Sequence, residues 1–228
     1  MRRALVLGGT GAVGSAVLKE LARRGVAASF SFHTAADKAR MLALEYGHDA
    51  FAVDLADPIA TRRALDALPP TDVAIHCAAM TAALAVDEVT PEIWQRTMAV
   101  NVHSAHVVAQ WLAACGSPAE LVLVGGLDRA QSLPLPVHFA ATQGALSALV
   151  MALGHELGPR QLRVNLVALG VLAAGLSKGL ATRRRKDYET FSALRRQGTP
   201  DEAAKTIAWL ALENSFIQGK VISVNGGI

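Results

Sequence analysis

Three glycines spaced three apart, Gly8, Gly11 and Gly14, stand in the run Gly8-Gly9-Thr10-Gly11-Ala12-Val13-Gly14. An apolar run at 4–7 precedes them and an amphipathic stretch at 13–24 follows. Glycines between a strand and a helix permit a tight turn. They also let the backbone approach a pyrophosphate, whose charge is favoured by the unpaired N–H groups and dipole of a helix N-terminus. Glycines alone mark ordinary turns as well; their place at the first strand-to-helix junction gives this set its weight. Gly8, Thr10, Gly11, Val13 and Gly14 are therefore the candidate phosphate cradle of a dinucleotide. Where a second strand should reach the adenosine ribose, a carboxylate would bond the 2′-hydroxyl and a basic group would accept a 2′-phosphate. Residues 29–34 read Ser-Phe-Ser-Phe-His-Thr, with no acid before Asp37 and with Lys38 and Arg40 nearby. The missing carboxylate favours NADP(H) over NAD(H), with His33 and Thr34 beside the ribose. Lys38 and Arg40 read equally well as phosphate contacts or as a solvated helix face.

The elements that must carry this turn alternate along the whole chain. Short apolar runs at 4–7, 27–32, 50–53, 73–76, 121–124, 164–168 and 221–224 read as strands. Amphipathic stretches such as 13–24, 37–46 and 58–68 read as helices between them. That alternation argues for repeated βαβ units, an α/β fold with a three-layer, doubly wound parallel sheet of about seven strands. The 228 residues are 52% hydrophobic but only 5% aromatic, so aliphatic side chains fill the core, as suits parallel strands covered on both faces. No internal stretch reads as a linker, which implies one domain over 1–228.

A formal charge of +3 gives no reason to expect nucleic acid or a membrane as partner. Two cysteines, Cys77 and Cys115, make no disulfide framework, so a reducing, cytoplasmic setting is expected. Met1-Arg2-Arg3 before an apolar run resembles a secretory leader, but the run breaks at the glycines and is read as a strand. The longest uninterrupted apolar stretch, 166–176, is too short to span a bilayer. His103 and His106 lie three apart on one helix without a nearby third ligand, so no metal site is expected.

Beyond the glycine turn, ordered motifs continue to the last residues. They are Val53-Asp54-Leu55, Ile75-His76-Cys77-Ala78-Ala79, Trp94 through Asn101, Arg163-Val164-Asn165 leading to Leu169-Gly170, Gly198-Thr199-Pro200-Asp201-Glu202 and Val224-Asn225-Gly226-Gly227. From Leu5 to Gly227 the chain resembles the short-chain dehydrogenase/reductase family. The resemblance implies that Asp54, with Leu55, meets the adenine and that Ala78 and Ala79 border the cofactor. It implies that Asn101 helps hold an active-site water and that Gly170 touches the nicotinamide. It makes 171–198 a substrate lid.

The resemblance sets the family's serine against Gly126 and its Tyr-x-x-x-Lys against Phe139-Ala140-Ala141-Thr142-Gln143; Asn101 alone of its four catalytic groups is kept. Phe139 has the ring without the exchangeable proton, Gly126 has no hydroxyl, and Gln143 can bond the ribose but carries no charge to tune a pKa. His138 has a suitable pKa range for a proton donor, although helix neighbours point about 100° apart. It reads otherwise as a capping histidine. Asp128, with Arg129, borders the substrate or forms a surface pair. Arg183-Arg184-Arg185-Lys186 is either a solvated face or a dock for an acidic partner such as a carrier protein. The expected function is an atypical NAD(P)-dependent oxidoreductase. Its substrate would be a carbonyl, enone or acyl thioester, free or carrier-bound, and its proton donor non-standard. The alternative is a catalytically silent nucleotide-binding or partner subunit. A homodimer or homotetramer is implied, with pairing to an active relative also open.

Overall fold

The computed structural model describes residues 2–116, 118–126 and 135–228. Among them, seven strands form one sheet: β1 (Arg3–Leu7), β2 (Ala27–Phe32), β3 (Asp49–Ala52), β4 (Val73–His76), β5 (Ala119–Gly126), β6 (Leu162–Leu169) and β7 (Val221–Val224). Their order is β3-β2-β1-β4-β5-β6-β7, and every pairing is parallel. The helices are α1 (Ala12–Arg23), α2 (Ala36–Tyr46), α3 (Pro58–Asp66), α4 (Pro91–Met98), α5 (Ser104–Cys115), α6 (Val137–Leu157), α7 (Thr182–Phe191) and α8 (Pro200–Glu213). Strand order reverses between β1 and β4, which opens a crevice at their carboxyl ends where ligands of such sheets bind.

Strict alternation along the strands builds two cores. Ala4 and Val6 pack with Val17 and Leu21 of α1 and Leu210 of α8. Leu5 and Leu7 face the other way, against Leu65 of α3, Leu112 of α5 and Val150 of α6. Each such fully buried aliphatic side chain stabilises the fold by about 1.5–3 kcal/mol relative to exposure. β5 and β6 run longer than their apolar cores, pairing from Ala119↔Leu162 to Gly126↔Leu169. The charge of Glu120 hides that extension in the sequence, yet its carboxylate is buried and bonded to Arg163 and Asn214.

Helix starts differ in a way that matters for the crevice. Asp57 caps α3 by accepting from Ile59 and Ala60 N–H, both at 2.9 Å. Thr199 and Glu202 close α8 with a reciprocal capping box. α1 begins at Gly11 with no side-chain cap, so its first-turn N–H groups stay open to a ligand. By length and composition α6 is apolar enough to cross a membrane. It lies along the sheet instead, with Phe139, Leu146, Val150 and Leu157 buried.

Residues 171–198 fold over the crevice. Leu172 bridges Gly198, a short 3-10 turn spans Gly175–Gly179, and α7 follows. Tyr188 anchors α7: it is 2% exposed and its hydroxyl donates to the Asn225 carbonyl at 2.6 Å.

Candidate active site

The glycine turn is braced by its neighbours. Gly8 has φ +78°, and a Cβ there would stand 2.8 Å from the Ala78 backbone at the end of β4. A Cβ on Gly14 would run into the Gly8 carbonyl. Ser31 of β2, fully buried, accepts from Gly8 N–H at 2.9 Å. The cradle is thus a gap that side chains would fill, at an uncapped helix start, and these residues fit a pyrophosphate.

Beyond it lies the adenosine edge. Lys38 of α2 reaches back so that its ammonium donates to the Thr10 carbonyl at 2.7 Å. Arg40 turns away and pairs with Asp37 at 3.3 Å. The structure thus separates two cations that the sequence leaves equivalent: one borders the turn and one is a surface pair. His33 and Thr34 are exposed at the end of β2, and the His33 ring is 3.7 Å from Asp54. Asp54 accepts from Ala56 N–H at 3.0 Å and from Arg96 of α4 at 3.0 and 3.2 Å. Partial burial alone would raise its pKa, but the Ala56 amide and Arg96 outweigh it and hold the carboxyl below the usual range. Arg96 was invisible in the sequence, being 42 residues from its partner. Leu55 is buried beneath this edge.

A cavity of about 520 Å³ runs from the glycine turn to the far end of the crevice. Gly11, Val13, Ala79, Gly126, Phe139 and Gly170 all border it, so the structure brings together residues from five separate segments. Gln143 lines it too. Among the described lining residues there is no carboxylate, ammonium, guanidinium or imidazole; the polar side chains are Cys77, Thr81, Gln143 and Ser177. At the end of β4, burial pushes the Cys77 thiol up to about 12 and the His76 imidazole down to about 4. His76 instead bonds Ser104 at 2.6 Å.

The positions set against serine, tyrosine and lysine lie side by side. A Cβ on Gly126 would stand 3.4 Å from the Phe139 ring, an ordinary contact. Gln143 accepts from Gly126 N–H at 2.7 Å and donates to Thr142 at 3.0 Å, so its amide is engaged within the wall. Asn101 sits in a π-helical turn, Ala99–His103, of a kind frequent at functional sites. Its side chain accepts from Met80 N–H at 2.8 Å and donates to the Met80 carbonyl at 3.0 Å and to Thr142 at 3.1 Å. His138 is 1% exposed and does not border the cavity. Its Nε2 accepts from Ala82 N–H at 3.2 Å, as expected when Phe139 takes the inward direction on the same helix. Asp128 lies outside the described residues.

Sequence reasoning missed Thr142, the hydroxyl joining Asn101 to Gln143, and Gly125, whose absent side chain leaves room for the Gln143 amide. The adjacent glycines at 125–126 were the available signal.

The fold and its crevice define a Rossmann-type α/β protein with a lidded cavity. A family model described as "Enoyl-(Acyl carrier protein) reductase" matches residues 9–228. L-xylulose reductase of Bos taurus is 29% identical over 99% of this chain and 96% of its own length. A short-chain dehydrogenase from Burkholderia cenocepacia, solved in complex with NADP, is 28% identical with a TM-score of 0.90, covering 99% of this chain and 97% of that one. A blue fluorescent protein from a metagenomic library, solved in complex with NADPH, is 26% identical with the same TM-score and coverage. The chain belongs to the short-chain dehydrogenase/reductase family; of these relatives one is named a reductase and two were solved with NADP or NADPH bound.

Proposed function

We propose that this protein is an NADPH-preferring reductase that delivers hydride to a delocalised, electron-poor carbonyl compound, a quinone or conjugated enone. The observation that carries this reading is the cavity itself. It joins a phosphate cradle to an apolar chamber whose described lining offers no acid that titrates near neutrality. The family resemblance sets Gly126, Phe139 and Gln143 against its serine, tyrosine and lysine. A simple ketone reduced here forms a localised alkoxide. That alkoxide needs a proton, and lacking a general acid costs about 10²–10⁴-fold. A quinone or enone spreads the developing charge over its own π-system, and water protonates the product.

The cofactor supplies the hydride when bound. The glycine cradle and the start of α1 hold its pyrophosphate. Lys38 is placed to meet a 2′-phosphate, and the NADP- and NADPH-bound neighbours support that preference. Asp54, held by Arg96, borders the adenine. At the other end the Phe139 ring offers a face for a planar acceptor, and Leu176 and Leu180 of the lid exclude water.

Calorimetry with NADPH and NADH, followed by NADPH oxidation with menadione, an enone, an acyl thioester and an unactivated ketone, tests the reading. Tighter binding of NADPH and turnover with menadione or the enone, without the ketone, are expected. NADPH binding without turnover of any acceptor would favour the silent subunit. The outward face of α6, with Ala140, Gly144, Ala148 and Met151 exposed, then becomes the first surface to probe for a second copy or an active relative.

A further inference from the structure

Where β5 meets α6, Gly126, Phe139, Thr142, Gln143 and Asn101 form a set of neutral hydrogen bonds that leaves one Gln143 donor over among the described residues. Gly126 N–H can only donate, so the Gln143 atom 2.7 Å from it must be the amide oxygen. That places the Gln143 nitrogen on Thr142, 3.0 Å away. The Thr142 hydroxyl gives its single proton to the Phe139 carbonyl at 2.7 Å and accepts from both Gln143 and Asn101. With two bonds accepted and one donated, it is saturated. One Gln143 amide proton is thereby used. The other has no partner among the described residues, on a side chain that lines the cavity.

The bond to Gly126 also decides where this donor sits. It draws the amide to the end of β5, beside the Phe139 ring. A side chain at 125 would forbid this, because its Cβ would stand 2.7 Å from the Gln143 oxygen. The glycines at 125 and 126 and the glutamine at 143 are thus a matched set. A lysine at 143 could not accept from Gly126 N–H.

We propose that Gln143 is a catalytic residue whose free amide N–H bonds the substrate's carbonyl oxygen and stabilises the charge that develops there, with Thr142 as its positioning residue. A neutral amide fixed in advance is the type of donor that gains strength as negative charge forms on oxygen. The proposal rests on the reductase reading above and names the group that would serve it.

The test uses 4-nitrophenol, whose phenolate is a coloured, delocalised oxyanion, bound to the NADP+-saturated protein. The wild type is expected to prefer the phenolate, lowering the titration midpoint of the bound probe. Gln143→Met is expected to lose about tenfold in phenolate affinity, while NADPH binding stays within about twofold. Gln143→Glu keeps the acceptor for Gly126 N–H but not the donor, and should lose the preference with its thermal melt intact. Thr142→Ser should retain it and Thr142→Val should lose part of it. A Gln143→Met protein that binds NADPH poorly yet keeps its phenolate preference would overturn the proposal in favour of a ribose contact. NADPH uptake by the wild type without phenolate preference overturns this assignment alone. No NADPH uptake overturns the reductase reading with it.

Discussion

The two ends of the crevice are built on opposite plans. At the glycine turn, close backbone approach, an uncapped helix and the Lys38 cation make a polar cradle suited to a multiply charged group. At the far end, Phe139, Gly126 and Gln143 form a wall in which every group is neutral. On the proposed function, gripping a nucleotide and stabilising a reacting oxygen are separate tasks, divided between a charged cradle and a neutral wall. If so, substitutions at one end should leave the other's task intact.

The largest effect is expected from Gly14→Val, whose side chain collides with the Gly8 carbonyl. NADPH affinity should fall at least about 100-fold, or ~2.7 kcal/mol, as read by calorimetry on protein that still melts cooperatively. Gly125→Ala should act the other way round. Its methyl displaces the Gln143 amide, so menadione turnover should drop about tenfold, ~1.4 kcal/mol, with NADPH affinity unchanged. Equal losses in both would break the separation.

Lys38→Ala should sharpen it. Removing an exposed cation from a 2′-phosphate is expected to cost about fivefold, ~1 kcal/mol, in NADPH affinity and nothing in NADH affinity. The smallest effect concerns stability. Burial holds His76 at about 4, below its ordinary value of 6.5. A base whose folded pKa is depressed contributes stability that is full above 6.5 and is lost as pH falls towards about 4. The melting temperature of the wild type should fall over that window, and His76→Gln should flatten part of the fall.

The cradle was legible in the sequence because its signal is local: three glycines, an apolar run before and an amphipathic run after. The sheet was legible for the same reason, since β1, β5 and β6 each carry a short apolar run, as strands buried on both faces require. The residues of the neutral wall were named from the sequence, but the bonds within it were not legible there. That Gln143 bonds the backbone at 126 depends on a contact 17 residues away, and Asn101 meets Thr142 across 41. Lys38 and Arg40 look alike in sequence, and only the path of α2 separates the cation over Thr10 from the one on Asp37. His138 illustrates the same limit: its chemistry suits a donor, but its direction on α6 takes it to Ala82 rather than the cavity.

The pH dependence of menadione reduction at saturating NADPH tests the central claim most directly. A wall with no titrating acid is expected to give a kcat that is flat from about pH 6 to pH 9. A kcat that falls through a single deprotonation inside that range would mean a protein acid delivers the proton, and would contradict the account.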